Sequence, residues 1–189
     1  MSIKSSSLMS VLMMGSTFVL GACGVGAAED AQGREEVADL ATQEQAVSSG
    51  WTPYTSDEFS PISCDGSSLI SAAQCSGDYC DNIRFYCQPT AGVRGSSYWT
   101  GYFSDEGVNY KYCDPGFWIT AVACSHDYCD NISIQCSYMS NISQRNCYWT
   151  GWMSDENGGY LGFGSGYFAM GVQCSGEFCD NKRYYVCQP

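Results

Sequence analysis

The chain has 189 residues, of which 20 are acidic and 8 are basic, so its formal net charge at pH 7 is -12. From residue 51 onward there are 14 acidic and 6 basic side chains, and the basic ones are not clustered. Because phosphate groups are bound by clustered Lys and Arg, this charge argues against nucleic acid as a partner and disfavours contact with anionic lipid headgroups. The 13 cysteines indicate an exported protein in an oxidising compartment.

Residues 1–22 are typical of a secretion signal. Lys4 precedes an apolar run, Leu8 to Leu20, which is too short to span a bilayer and ends in small residues. The segment Leu20-Gly-Ala-Cys23 resembles the lipobox of bacterial lipoproteins, in which the cysteine is diacylated and becomes the new N-terminus. If Cys23 carries lipid, the other 12 cysteines can all form pairs. The alternative is a soluble secreted protein that is cleaved after Ala27 or Ala28.

Residues 23–50 are predicted to form an acidic, flexible tether. They carry six acidic side chains, one basic side chain and few large apolar ones, a composition that cannot bury a core. Membrane contact would then come only from the lipid on Cys23. Gly24 replaces the Asp that commonly retains bacterial lipoproteins in the inner membrane, so the sequence favours the outer membrane or the cell surface of a bacterial envelope.

Three copies of one pattern follow, over residues 51–97, 98–146 and 147–189. Each copy has a Trp-Thr step, a Ser-Asp-Glu triplet and a cysteine hairpin that runs into Cys-Asp-Asn. The Trp-Thr steps begin at Trp51, Trp99 and Trp149, so the period is 48 and then 50 residues. A unit of this length is one supersecondary repeat that must stack on its neighbours, which predicts a single domain over 51–189.

Within each copy the apolar residues alternate with period two, and Gly, Asn, Asp and Ser separate the alternating segments. This pattern predicts an all-β fold of about four short strands per repeat. The predicted architecture is a pseudo-threefold, β-prism-like domain, with a β-trefoil as the alternative. Strict alternation places Trp99, Gly101 and Phe103 on one face and Tyr98, Thr100 and Tyr102 on the other. The three repeat tryptophans are therefore predicted to be core residues.

The cysteine spacing predicts six disulfides. The hairpin cysteines occur in all three copies, which gives the pairs Cys75–Cys80, Cys124–Cys129 and Cys174–Cys179; the remaining cysteines give Cys64–Cys87, Cys113–Cys136 and Cys147–Cys187. An inter-repeat pair, Cys136–Cys147, is the alternative. No metal is expected at these thiols, because four residues separate each hairpin pair and His126 is the only imidazole.

The acidic turns allow two interpretations. One is a set of calcium sites that combines the Ser-Asp-Glu triplets with the Cys-Asp-Asn segments, namely Asp81, Asn82, Asp130, Asn131, Asp180 and Asn181. The other is ordinary turn chemistry, in which Asp and Asn bond to their own backbone. The turn interpretation is favoured, because a feature that is copied into every repeat is more often scaffold than site, and no cofactor is predicted.

Aromatic rings at equivalent positions provide the candidate ligand-binding residues, Tyr54, Tyr102 and Trp152. Flat rings beside Asp and Asn could stack on sugars and bond their hydroxyl groups, and three weak copies would gain by avidity on a repeating polymer. The alternative is that these rings pack on neighbouring strands or on the stems of Arg84, Arg145 and Arg183.

The end of each repeat, as in Asp81-Asn-Ile-Arg-Phe-Tyr-Cys87, resembles the Asp-Arg…Cys repeats of the dermatopontin family. That family is secreted and disulfide-rich, and it includes matrix proteins and invertebrate lectins. The resemblance covers 51–189 as a pattern only. Because Asn82, Asn131 and Asn181 stand where the family has Arg, it carries over no binding residues.

These observations give three hypotheses about function. The first is a lipid-anchored, non-catalytic surface module that binds a glycan or another extracellular polymer. The second is a structural or protein-interaction module of the cell envelope. The third is an enzyme that acts on polysaccharide, which is disfavoured because the sequence has no catalytic motif and no carboxylate pair that differs from its repeat equivalents.

Overall fold

The structure is a computed structural model, which describes residues 45–57 and 61–189. The predicted signal peptide, the lipidation site Cys23 and most of the predicted tether lie outside the described residues. Within the described ranges the chain is all-β, with thirteen strands in three sheets and four short 3₁₀ turns. The helical turns of the described residues are too short to cross a membrane.

Four strands follow one another in the same order in each repeat, and the first repeat is preceded by one additional strand. The first region contains β1 (Gln45–Val47), β2 (Gly50–Trp51), β3 (Ile62–Cys64), β4 (Ser68–Ser76) and β5 (Asn82–Pro89). The second contains β6 (Val93–Trp99), β7 (Tyr110–Tyr112), β8 (Phe117–Ser125) and β9 (Asn131–Ser140). The third contains β10 (Arg145–Trp149), β11 (Tyr160–Gly162), β12 (Phe168–Ser175) and β13 (Asn181–Gln188).

Each sheet is built around one long hairpin. Sheet 1 has the order β11-β4-β5-β2, sheet 2 has β1-β3-β8-β9-β6, and sheet 3 has β10-β13-β12-β7. In every sheet the strand that carries the repeat tryptophan lies beside the second strand of the hairpin. The other side of each hairpin is covered by a short strand, so both of its edges are paired.

The short strands are exchanged between repeats. The short strand β3 of the first repeat lies in sheet 2, β7 of the second lies in sheet 3, and β11 of the third returns to sheet 1. The exchange therefore runs in a closed cycle, and each repeat forms part of two sheets. One copy of the repeat alone would therefore leave an edge of its hairpin unpaired.

The domain begins earlier in the chain than the composition predicts. Residues Gln45–Val47, which lie within the predicted tether, form β1 and pair with β3 in parallel. The Asp65 amide donates to the Val47 carbonyl at 2.8 Å, and Val47 packs against the core. The predicted boundary at residue 50 is wrong, because backbone pairing and one apolar contact hold a segment that is otherwise polar.

The predicted side-chain faces of the tryptophan strands are also wrong. The Thr100 amide donates to the Ile134 carbonyl, whereas Phe103 pairs with Ile132, so three steps along this segment match two steps along β9. The extra residue reverses the alternation, as a β-bulge does. Phe103 is consequently buried, whereas Trp99 is 39% exposed.

The hydrophobic core lies where the inner faces of the three sheets meet. The second strand of each hairpin, which is β5, β9 or β13, contributes alternate residues to a small enclosed cavity. These residues are Ile83, Phe85, Ile132, Ile134, Lys182 and Tyr184. The fully buried tryptophan is Trp118 of β8, and not one of the three repeat tryptophans. The prediction that the repeat tryptophans form the core is therefore wrong.

Six disulfides fasten the described part of the chain, and they are the pairs that the spacing predicted: Cys64–Cys87, Cys75–Cys80, Cys113–Cys136, Cys124–Cys129, Cys147–Cys187 and Cys174–Cys179. The three short pairs close the hairpin turns. Cys64 lies in β3, which belongs to sheet 2, and Cys87 lies in β5, which belongs to sheet 1. Their bond therefore joins the two sheets. The six disulfides indicate an oxidising, extracellular environment.

Candidate binding surfaces

The bulge after each repeat tryptophan places two aromatic rings on the outer face of the sheet. The three aromatic pairs, as we call them, are Trp51 with Tyr54, Trp99 with Tyr102, and Trp149 with Trp152. The same backbone bonds fix all three, because a threonine one residue after each tryptophan bonds to the neighbouring hairpin strand through both its amide and its hydroxyl oxygen. The rings of the candidate ligand-binding residues are thus held at equivalent positions.

In the first and third repeats an arginine occupies the space between the two rings. The Arg84 guanidinium carbon lies 4.8 Å from the ring centroid of Trp51 and 4.6 Å from that of Tyr54. The Arg183 guanidinium carbon lies 4.9 Å from the centroid of Trp149 and 4.6 Å from that of Trp152. Both arrangements are cation–π contacts, and they cover one face of each ring.

A glutamine on the neighbouring strand holds each arginine in place. Arg84 donates from Nε and Nη2 to Gln74 Oε1, at 3.0 and 2.7 Å. Arg183 donates from Nε to Gln173 Oε1 at 2.9 Å. The guanidinium is therefore fixed by two rings and one amide, as a planar cation with several donors allows.

The second repeat lacks both the arginine and the glutamine. Its register pairs Ala123 with Ser133, where the other hairpins pair Gln74 with Arg84 and Gln173 with Arg183. Ser133 is buried and donates to the Thr100 carbonyl at 2.7 Å. Trp99 and Tyr102 are 39% and 54% exposed, and among the described residues neither contacts another ring or a cation.

A second aromatic feature, which we call groove 1, extends from Trp51 across the outer face of sheet 1. The Trp51 ring centroid lies 5.5 Å from that of Tyr86 and 6.2 Å from that of Tyr160, which belongs to the exchanged strand β11. The rings line an open groove of about 470 Å³ together with Ser71 and Gln88. Groove 1 therefore combines flat apolar surface with a hydroxyl and an amide.

Groove 3 is the equivalent feature of sheet 3. The Trp149 centroid lies 5.4 Å from that of Tyr185 and 5.7 Å from that of Tyr112, on the exchanged strand β7. This groove has a volume of about 520 Å³ and is also lined by Gln144. Burial raises the pKa of the Tyr112 hydroxyl above its usual range. In sheet 2, Gln135 pairs with Trp99 at the position that Tyr86 and Tyr185 hold in the other sheets.

The turns of the three hairpins meet in an aromatic cluster, which we call the apex triad. The centroids of Tyr79, Tyr128 and Phe178 lie 5.1 to 5.2 Å from one another. All three residues have a positive φ, of 56° to 59°, and each immediately precedes the second cysteine of its hairpin disulfide. The sequence pattern alone did not predict this cluster, although the aromatic residue stands at the same place in every hairpin.

The structure brings some of the predicted acidic residues together. Oxygen atoms of Asp105 and Asp130 lie within 4.8 Å of each other, as do those of Asp155, Glu156 and Asp180. Burial and then the nearby carboxylates raise the pKa values of Asp130 and Asp180 above their usual range.

The three asparagines of these segments donate to the preceding aspartates. The pairs are Asn82 with Asp81, Asn131 with Asp130, and Asn181 with Asp180. These bonds join neighbouring side chains and not a side chain to its own backbone, so the turn interpretation and a calcium role for the same oxygen atoms both stay predictions.

One cation lies inside the core. Lys182 is fully buried at the position that Ile83 and Ile132 hold in the other repeats, and its Nζ donates to the Cys179 carbonyl at 2.7 Å. Burial lowers the pKa of Lys182 to about 8, against the opposing influence of carboxylates such as Asp180 and Asp81. The sequence showed this lysine, but its burial follows from the repeat register.

No protein-family model, curated protein or solved structure matches the chain. The resemblance of 51–189 to the dermatopontin repeats therefore stays a prediction.

Proposed function

We propose that this protein is a non-catalytic binding module outside the cytoplasm, and that its outer sheet faces bind a glycan or a similar extracellular polymer. The observation that carries the proposal is the pair of aromatic grooves at equivalent positions of sheets 1 and 3. At least three aromatic rings line each groove beside at least one amide side chain. Rings offer the apolar faces of sugars a flat surface, and the amides can bond their hydroxyl groups.

The exposed surface supports this proposal. Of the twelve large hydrophobic side chains exposed in the described part of the chain, ten are Tyr or Trp and two are Val. Aromatic side chains with a polar group are enriched at binding surfaces because they contribute large contact area at a small entropic cost. Two grooves on one rigid domain would also bind a repeating polymer by avidity.

The grooves are better candidates for sugar binding than Tyr54 and Trp152 alone. Arg84 and Arg183 already cover one face of those two rings. Tyr160 and Tyr112, in contrast, are 58% and 44% exposed at the rims of grooves 1 and 3. We therefore place the glycan sites at the grooves.

The proposal also includes the finer points of architecture and location. We propose that the three sheets form a β-prism-like arrangement, which the cyclic exchange of short strands supports. We propose that the signal peptide and a lipid on Cys23 anchor the domain to a bacterial cell envelope, so that the grooves face outward. Under this proposal the membrane is contacted only through that lipid.

A double variant tests the proposal. Tyr112→Ala with Tyr160→Ala removes one exposed ring from each groove without touching the core. Using the oxidised protein on an array of glycans and cell-wall polymers, with calcium and with chelator in parallel, we expect the variant to bind at least about fivefold more weakly than the parent, because each of the two stacked rings contributes about 0.5–1.5 kcal/mol. Binding that needs calcium would instead implicate the acidic turns.

Tyr138→Ala is the matched control. Tyr138 is 44% exposed on β9, outside both grooves, and it packs on Phe117. The control should bind as the parent does. Equal loss in the control and the double variant, or unchanged binding in the double variant, would contradict the groove sites.

A further inference from the structure

The aromatic pair of the second repeat differs from the other two because no arginine of the same repeat contacts its rings. The backbone that positions Trp99 and Tyr102 is the same as in the other repeats, including the two bonds made by the threonine after each tryptophan. The difference lies in two side chains, Ser133 in place of arginine and Ala123 in place of glutamine.

We propose that the Trp99–Tyr102 pair is a docking site for an arginine side chain of a partner protein. The first and third repeats show which group fits between such rings, since each holds a guanidinium at 4.6 to 4.9 Å from two ring centroids. In the second repeat the equivalent rings are 39% and 54% exposed. An incoming guanidinium would complete the contact that the chain makes for itself elsewhere.

Charge favours the same occupant. The chain has a formal net charge of -12, and Asp105 and Glu106 follow Tyr102 by three and four residues. A basic partner is therefore attracted over a distance, and the ring faces then select a flat, weakly hydrated cation. A lysine ammonium would be held less well, because it is strongly hydrated and cannot stack between two rings.

The small side chain of Ser133 explains why no cation of the second repeat contacts the two rings. Arginine at this position would reach out between the rings, whereas the Ser133 hydroxyl turns back to the Thr100 carbonyl at 2.7 Å. Gln135 takes the place of the tyrosines that extend the aromatic surface in grooves 1 and 3. The second outer face is therefore suited to a single inserted side chain. This proposal does not depend on the glycan proposal, which concerns the other two sheets.

The test uses three capped peptides that differ at one central residue, which is arginine, citrulline or lysine. The readout is the indole N–H resonance of Trp99 in the oxidised protein, followed by NMR during titration. We expect a saturable shift with the arginine peptide. The citrulline peptide, which has nearly the same shape but no charge, should bind about fivefold more weakly, the ratio that corresponds to about 1 kcal/mol for a cation–π contact.

Two variants make the test reciprocal. S133R with A123Q supplies the arginine and glutamine of the other repeats, so the Trp99 resonance should move toward those of Trp51 and Trp149 and should no longer respond to the peptide. R84S with Q74A opens the first pair, so the Trp51 resonance should acquire the response. If S133R with A123Q folds poorly, R84S with Q74A still tests the proposal, because it asks whether the Trp51 pair gains a response to the arginine peptide.

Several results would overturn the proposal. One is the absence of a shift at Trp99, and another is equal binding of the arginine and citrulline peptides. The proposal would also fail if the response survived in S133R with A123Q, or if a glycan that binds the grooves competed at Trp99. Concentration-dependent self-association that Arg145→Ala abolishes, together with the Trp99 shift, would show that the occupant is a second copy of this chain and not another protein. A Trp99 shift limited to the arginine peptide, with loss and gain in the two variants, would support the partner site.

Discussion

The fully buried Lys182 is a side chain whose charge destabilises the folded state. Its two repeat equivalents are isoleucines, and its inner-face neighbours around the small cavity are apolar or aromatic. A buried ammonium is costly unless its donors are bonded, and here one donor reaches the Cys179 carbonyl. The nearby aspartates offset part of this cost, which is why the pKa of Lys182 falls to about 8 rather than further.

Replacing this lysine by an apolar residue should stabilise the protein at neutral pH. The folded-state pKa of about 8 lies below the ordinary value of 10.5. At pH 7 this difference in pKa destabilises the parent by about 3 kcal/mol. The variant avoids that cost, but it loses the hydrogen bond to the Cys179 carbonyl, which contributes about 1 kcal/mol. We expect Lys182→Met to raise the free energy of unfolding by about 2 kcal/mol in denaturant titrations at pH 7.

The pH dependence of the free energy of unfolding tests whether the buried charge is the cause. Between pH 8 and 10.5 the unfolded chain binds the additional proton, so the parent should gain stability relative to the variant as pH rises through this window. The advantage of Lys182→Met should therefore be complete below pH 8 and lost near pH 10.5. A difference between parent and variant that does not vary with pH would show that burial of the charge is not its cause.

The elements of this fold could largely be predicted from the sequence, but their faces could not. Period-two alternation and turn residues gave the hairpin strands, and cysteine spacing gave the disulfides, because both depend on residues that are close in the chain. The bulge between Thr100 and Phe103 depends on pairing with β9 and reverses the side-chain faces. Without that register, the outward position of Trp99 could not be predicted. The contacts of Arg84 and Arg183 with the aromatic rings, in contrast, are the alternative that the sequence itself offers.

The exchanged strands are held close to their neighbours by small residues. A Cβ added at Gly171 of β12 would lie 2.6 Å from a Tyr112 ring carbon and 2.9 Å from the Lys111 carbonyl oxygen on β7. Gly171→Ala should therefore displace β7 and cost about 1–3 kcal/mol, as overpacking does. The measurement is the midpoint of unfolding in urea.

Gly101→Ala is the matched control for this element, because a Cβ at Gly101 meets no atom within 4 Å. Its unfolding midpoint should stay within about 0.5 kcal/mol of the parent, the usual range for a surface change. Gly171→Ala with parental stability would indicate that β7 can shift on β12 without loss.

At the scale of the whole molecule, closure of the three-sheet cycle uses two different kinds of contact. Cys64–Cys87 joins a strand of sheet 2 to one of sheet 1, and Cys113–Cys136 joins the end of β7, in sheet 3, to sheet 2. The third repeat has Phe163 where the first two have Cys64 and Cys113. Phe163 is fully buried after β11, in sheet 1, and its centroid lies 5.0 Å from that of Tyr184 in sheet 3.

Phe163 should therefore stabilise closure about as much as a disulfide does. Phe163→Ala is expected to cost about 3–5 kcal/mol, the usual loss for a buried phenylalanine. Removing Cys64–Cys87 by a double change to Ala should cost about 3 kcal/mol, because it frees a loop of 23 residues. Hydrogen exchange of backbone amides should also increase first at β11 in Phe163→Ala and at β3 in the variant without the disulfide. Uniform acceleration across all three sheets in both variants would show that the cycle opens as one unit, whereas local acceleration would show that each junction can open independently.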